Sequence, residues 1–378
     1  MKYIFLSYHH YKYSRSGGVI ELAKAMKLSG EEVTFLFAGF PLLRRFFITD
    51  NRYTYKWLRN AFRIKQDDLG IRFGVWLSFG LWSLLDFSFI KFINKYIILN
   101  DWIIRPILKE SDVLVIESCI GLMYIEKILS VNPGIKVLYR PSDPMNYWCS
   151  NQVILASEKT VLSISKSILV KNRADYDYYC SLGCTNVEIL PNFISLDITH
   201  NWGSRSALLD HDIWNKKVAL YVGVMNVCWD TIFKLSIRFK DWNFVIVIPI
   251  LPSSEVKIFL KNSTNVFWFN GVDRSSIGSL VEKCNLFLVP YIRGYYEKYK
   301  WGLSAKYLMA MYFRKGILAI NEDPMLSQFG IVVCNQATEL FVRFSELSMK
   351  LEFNYEYELV NGNWLMNADK VKKMFYGE

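Results

Sequence analysis

Short apolar runs recur along this chain in two series, each run followed by a segment of helical character, and that alternation restricts the fold more than any other feature. The first series opens with a run ending near Tyr8, a loop through Gly17 and Gly18, a helix from Val19 to Leu28 and a second run from Val33 to Phe37. Strand, helix and strand in that order predict a βαβ unit, which builds a parallel sheet and leaves ligands at the C-terminal strand ends. Further strands are predicted at 112–116, 135–139, 160–165 and 187–190. After Pro191 and Asn192 the pattern loosens. A second series begins at 218–223 and continues at 244–248, 265–269, 286–289 and 316–320, again with helices between.

The expected organisation is therefore α/β with two Rossmann-like domains. Residues 1–200 form the first, 201–216 a linker, 217–355 the second, and 356–378 a closing segment whose helix from Trp364 can return to the first domain. A chain of 378 residues has enough length for two cores.

The net charge of +10 and pI near 9.1 call for an anionic partner: nucleic acid, acidic lipid headgroups or a phosphorylated small molecule. The seven cysteines are scattered, and the close pair Cys180 and Cys184 has no second pair to complete a zinc site, so reduced cytosolic thiols are expected. The first apolar run is too short for a signal peptide, which points to a cytoplasmic protein. The most apolar stretch, from Phe73 to Leu85, reaches about two-thirds of the roughly 20 residues that a spanning helix needs.

Several local patterns occur in a telling order. They are the GlyGlyVal loop at 17–19, LeuProAsn at 190–192, TyrValGly at 221–223, AsnGlyVal at 270–272, and the segment from Leu288 to Ala319 with its ValProTyr and LysTyrLeuMet. In these the chain resembles glycosyltransferases of the GT-B class, whose two parallel-sheet domains face each other across a cleft. In the run Tyr139, Arg140, Pro141, Ser142, Asp143 it is similar to the membrane-associated, inverting glucuronosyltransferase family of xanthan-type polysaccharide assembly. That resemblance implies a metal-independent transferase with Asp143 as catalytic base. It implies a UDP-sugar, used as substrate and not as cofactor, held by Met225, Tyr291 and Lys306, with Gly223 at the opening of the donor half. Two departures stand out at Met309, where the common retaining relatives carry a glutamate and this family a glutamine.

The residues themselves support such chemistry. Inverting transfer needs a base for the acceptor hydroxyl, and a carboxylate after the 135–139 strand is suitably placed. Asp before Pro is also a common turn former, so Asp143 has a structural alternative. Ser304 and Lys306 at a helix start offer amides and a cation to a diphosphate. The loop from Arg293 to Lys300 adds charge for a uronate carboxylate, although Lys298 and Lys300 read equally as solvated. Gly17, Gly18, His9 and Arg140 are candidate acceptor or cleft residues, and His10 is a weaker one. No metal ligand set is expected: Asp175 and Asp177 fall in a polar helix and not at a strand end.

Between residues 40 and 108, Arg44, Arg45, Arg52, Lys56, Arg59 and Arg63 alternate with Phe46, Phe47, Tyr53, Tyr55, Trp57 and Phe62 before an apolar stretch around Trp76 and Trp82. Such a surface suits an anionic membrane interface, which would hold the protein peripherally at the inner face of the cell membrane beside a lipid-linked oligosaccharide. Packing of these aromatics on the first sheet is the alternative. Two other functions remain open at this point: a retaining hexosyltransferase of cell-surface polysaccharide synthesis, and a non-catalytic basic binding module. No nucleic-acid motif accompanies the charge, so nucleic acid is not an expected partner.

Overall fold

The structure, a computed structural model, describes residues 1–9, 11, 17–41, 62–78, 99–147, 149–199, 204–223, 227–294, 302–350, 352–356 and 362–376. The chain divides into two compact units, Met1–Pro191 with Trp364–Glu378, and Asn192–Asn363.

The first unit holds strands β1 (Lys2–Ser7), β2 (Glu32–Pro41), β3 (Lys65–Gln66), β4 (Arg72–Ser78), β5 (Val113–Glu117), β6 (Lys136–Arg140), β7 (Ser165–Val170) and β8 (Val187–Ile189). They form one sheet in the order β3-β4-β2-β1-β5-β6-β7-β8, in which β3 alone pairs antiparallel among the described strands. Helices α1 (Gly18–Leu28), α2 (Asp101–Glu110), α3 (Ile125–Val131), α4 (Gln152–Ile164) and α5 (Arg173–Ser181) connect them. The central strands are mainly apolar because helices cover both faces of a parallel sheet. Strand β5 is buried along its whole length.

Sequence and structure differ at 160–165. The expected strand is the last part of α4, and the strand proper, β7, begins at Ser165. Asn151 starts that helix by accepting the amides of Val153 and Ile154 at 3.0 and 3.3 Å, and Ile154, Ser157, Glu158 and Val161 then recur on one buried face. A Thr-Val-Leu-Ser-Ile run fits a strand locally, but here the cap and the 3.6-residue period prevail.

The second unit has strands β9 (Lys217–Val222), β10 (Trp242–Val247), β11 (Val266–Phe269), β12 (Leu286–Pro290), β13 (Gly316–Ile320) and β14 (Val332–Cys334), all parallel, in the order β11-β10-β9-β12-β13-β14. Its helices are α6 (Leu196–Thr199), α7 (Trp229–Arg238), α8 (Ser254–Asn262), α9 (Ile277–Lys283), α10 (Ala305–Tyr312) and α11 (Leu340–Met349). Much of the expected linker is part of this unit: short 3-10 turns at Ala207–Asp210 and Asp212–Asn215 bring Ile213 and Trp214 into its core. The last helix, α12 (Trp364–Tyr376), belongs to the first unit, where Asn367 donates to the Pro191 carbonyl at 2.7 Å and Lys372 to that of Ser29 at 3.2 Å.

In each sheet the chain leaves the first strand in one direction and later returns to its other side. The strand order reverses between β1 and β5 in the first unit, and between β9 and β12 in the second. Crevices at such reversals, beyond the C-terminal strand ends, are where open α/β sheets bind ligands.

Candidate functional site

At the first reversal, Leu6 of β1 lies opposite Ile116 of β5, so the strand-end residues that follow are Ser7 and Glu117. The Glu117 carboxylate is fully buried and accepts hydrogen bonds from Ser7 Oγ and from Ser142 Oγ, tying together the ends of β1, β5 and the loop after β6. His9 Nε2 stands 3.7 Å from Glu117 Oε1, and the His9 amide donates to Ser7 Oγ at 2.9 Å. Gly17 caps α1, whose first residue is Gly18. A Cβ on Gly17 would come within 2.9 Å of the His9 ring, so this glycine makes room for the imidazole.

Asp143 sits in the loop after β6. Ser118 Oγ accepts the amides of Ser142 and Asp143 at 3.1 and 3.4 Å, and the Asp143 carboxylate meets the ammonium of Lys171, the residue after β7. Burial raises the Asp143 pKa above the usual carboxylate value, although Lys171 and His9 pull it down. A 3-10 turn at Met145–Tyr147 does follow the SerAspPro segment, while the carboxylate itself is engaged by the lysine. Arg140 lies beneath this cluster, 2% exposed, donating to the Leu169 carbonyl at 2.9 Å; burial pushes its pKa down to about 10. Arg140 is thus an interior cation of the sheet and not an open cleft residue. Its neighbour Tyr139 is also interior, its hydroxyl 2.6 Å from Glu158.

Asp175 and Asp177 face different partners. Asp175 lies 3.9 Å from Lys171 Nζ, whereas Asp177 pairs with Arg173 at 2.9 Å on the exposed side of α5. Two carboxylates two residues apart on a helix do not converge on one ion.

At the second reversal, Tyr291 follows β12 and is buried, its amide bonded to the Ile320 carbonyl at 3.1 Å and its own carbonyl to Asn321 Nδ2 at 2.7 Å. Lys306, in the first turn of α10, donates to the Tyr291 hydroxyl. Its ammonium lies 4.1 Å from the Tyr291 ring centre, 5.4 Å from that of Tyr307 and 5.9 Å from that of Tyr221, a cage of π faces. Burial pushes the Lys306 pKa down to about 8, against the opposing field of buried Glu322. Glu322 in turn accepts the Tyr307 hydroxyl at 2.7 Å, and Asn335 holds its backbone from both sides. Ser304 caps α10 through its carbonyl; its Oγ is buried and has no hydrogen-bond partner among the described residues. A helix start with a vacant hydroxyl and a cation is suited to an anion. Met309, on the same helix, packs its thioether against the unit's core.

Gly223 follows β9, with its amide on the Val247 carbonyl at 3.1 Å. A Cβ there would overlap the Tyr221 hydroxyl, so Gly223→Ala is expected to displace that ring and cost about 1–3 kcal/mol, read as a lower thermal midpoint. An unchanged midpoint would show that the Tyr221 side of the cage yields freely. Met225, Lys298, Lys300 and His10 lie outside the described residues, as do most of the basic and aromatic positions between 42 and 98. Trp76 is core, stacked on Tyr124 at 4.8 Å, while Phe62 is exposed and stacks on the exposed Trp102 at 5.7 Å. No helix among the described residues is long and apolar enough to cross a membrane.

Glu117, Lys171 and Glu322 are the site residues that sequence reasoning missed. A signal existed for the first two, since Glu117 closes the ValLeuValIle run of β5 and Lys171 follows the IleLeuVal that ends β7.

Residues 5–171 match the family model for the N-terminal domain of the glucuronosyltransferase GumK. The chain has the GT-B fold, and within it residues 5–171 are similar to the GumK N-terminal domain. The GumK-type segment contains His9, Gly17, Glu117 and Asp143 and ends on Lys171. None of the curated proteins matches the chain by sequence. Solved structures agree with the GT-B fold. A UDP-forming α,α-trehalose-phosphate synthase from Burkholderia xenovorans, solved with glucose-6-phosphate, superimposes with a TM-score of 0.61 at 9% identity, covering 99% of this chain and 100% of its own. HepE from Anabaena in complex with UDP gives 0.58 at 10% identity, covering 99% and 95%. UDP-GlcNAc 2-epimerase from Methanocaldococcus jannaschii gives 0.60 at 13%, covering 100% of both chains. At such identities these likenesses concern the fold.

Proposed function

We propose that this protein moves a sugar, in the first instance glucuronate, from a UDP-sugar donor to a lipid-linked oligosaccharide or polysaccharide precursor, with inversion at C1. The observation that carries this reading is Asp143, a half-buried carboxylate of raised pKa at a strand end beside the reversal of the first sheet. It takes the acceptor's hydroxyl proton as that oxygen attacks C1, and the bond from C1 to the diphosphate breaks with its electron pair going to UDP. The second unit meets the diphosphate with the first-turn amides of α10, Ser304 Oγ and the Lys306 ammonium, which supply the positive charge that a metal ion gives elsewhere. UDP as the donor nucleotide is supported by the GumK-type domain and by fold neighbours solved with UDP or a UDP-sugar. The +10 charge and the exposed Phe62 and Trp102 pair support peripheral attachment to an anionic membrane on the cytoplasmic side.

The test is a panel of nucleotide sugars followed by thermal melting, then transfer to a polyprenyl-diphosphate disaccharide in EDTA. UDP-glucuronate is expected to raise the midpoint more than other UDP-sugars, and UDP more than ADP or GDP, with transfer undiminished by EDTA. Equal response to all nucleotides would remove the donor assignment, and loss of transfer in EDTA would remove metal independence.

A further inference from the structure

Lys171 meets at least three oxygen acceptors. Its ammonium contacts Asp143 Oδ1, donates to the Ser142 carbonyl at 2.7 Å and stands 3.9 Å from Asp175 Oδ2. The lysine side chain is 11% exposed and that of Asp175 4%, whereas Asp143 reaches solvent at 24%. A cation this shielded, clamped to a single carboxylate, would hold that acid ionised and make it a poor base. The second carboxylate alters the balance by drawing on the same charge from the other side and adding its own negative field. Its position is fixed by the fold: Lys171 follows β7, Asn172 caps α5 and accepts the Asp175 amide at 2.8 Å, and Asp175 lies in the first turn.

We propose that Lys171 and Asp175 are positioning residues for Asp143. Lys171 grips the Asp143 carboxylate together with the Ser142 carbonyl and so sets where the remaining carboxylate oxygen points. Asp175 divides the lysine's charge, which leaves Asp143 basic enough to take a proton from a sugar hydroxyl. This rests on Asp143 being the base. Consistent with shared charge between two desolvated acids, the Asp175 pKa is also pushed up, to about 6, chiefly by burial. The other groups facing Asp143 are Glu117 at the end of β5, which acts in the same direction as Asp175, and His9, which acts with Lys171. Among the described residues, Arg140 on β6 and Tyr147 on the following turn also act on Asp143.

Two measurements on the full-length chain test this. One is an NMR titration with aspartate labelled at its side-chain carboxyl carbon, and the other is the pH profile of kcat/KM for UDP release from UDP-glucuronate with a polyprenyl-diphosphate disaccharide. Lys171→Met is expected to raise the Asp143 midpoint, and the acid limb of the profile with it, by about one pH unit or more. Asp175→Asn is expected to move both downward, and Lys171→Arg to keep them near the wild-type position. Shifts of opposite sign separate tuning from packing, because a merely structural pair would lower activity at every pH and leave both midpoints in place. That result overturns the proposal. Asp175→Asn preserves side-chain size, so an absent downward shift in this variant overturns it even where Lys171→Met does not fold. Failure of the base reading looks different: Asp143→Asn would then keep its transfer activity, and in Lys171→Met and Asp175→Asn the Asp143 midpoint would move while the acid limb of the profile stayed in place.

Discussion

Asp143→Asn is expected to lower kcat for sugar transfer by about 10²–10⁴-fold while leaving UDP affinity within about twofold, since positioned general bases contribute on that scale. The substitution keeps the shape of the side chain and removes the proton acceptor. Lys171 retains the Ser142 carbonyl at 2.7 Å and Asp175 at 3.9 Å, so the ammonium is not stranded and the fold should survive. Steady-state UDP release together with calorimetric titration of UDP separates the two effects. A variant retaining transfer within a few-fold of wild type would assign the proton to another group, for which His9 beside Glu117 is a candidate.

Lys306→Met is expected to weaken UDP binding by about 10–100-fold. A charge-assisted hydrogen bond from a desolvated ammonium to a phosphate contributes roughly 1.5–3 kcal/mol, which corresponds to that range. Because the Lys306 pKa lies at about 8, its charge is present at neutral pH and lost above. UDP affinity of the wild type is therefore expected to fall as pH rises through about 8, whereas the methionine variant should show no such step. Stability runs the other way. Between about 8 and the ordinary lysine value of 10.5, the unfolded chain holds a proton that the folded chain has released, so the stability of the free protein rises with pH over that interval. Lys306→Met removes this rise and is expected to melt no lower than wild type at neutral pH. Calorimetric titration and melting curves across that pH range check both signs. A flat wild-type binding curve would place the phosphates away from Lys306.

The two parallel sheets were legible because buried strands of such sheets are apolar on both faces, and runs like ValLeuValIle and PheValIleVal betray them without tertiary information. The error at 160–165 came from the same source: a short apolar run has no clear period, and the cap at Asn151 that decides for a helix lies nine residues upstream. Tyr291 and Lys306 were found through resemblance, and the structure brings them into contact. Glu117 and Lys171 escaped because their meaning lies in strand order. Ser7 and Glu117 are 110 residues apart in sequence and Lys171 is 28 from Asp143, and they meet only once β1, β5, β6 and β7 lie side by side. Arg140 shows the converse. It occupies a motif that invites a substrate contact, yet its guanidinium is spent on the Leu169 carbonyl inside the sheet.

Inverting transfer through Asp143 is tested most directly by the anomeric configuration of the product. UDP-glucuronate, whose sugar is α-linked, would be incubated in EDTA with the protein and a polyprenyl-diphosphate disaccharide, and the transferred residue examined by proton NMR. A β-linked glucuronate is expected, formed at a rate that Asp143→Asn lowers by about 10²–10⁴-fold. An α-linked product would contradict both the inversion and the role given to Asp143.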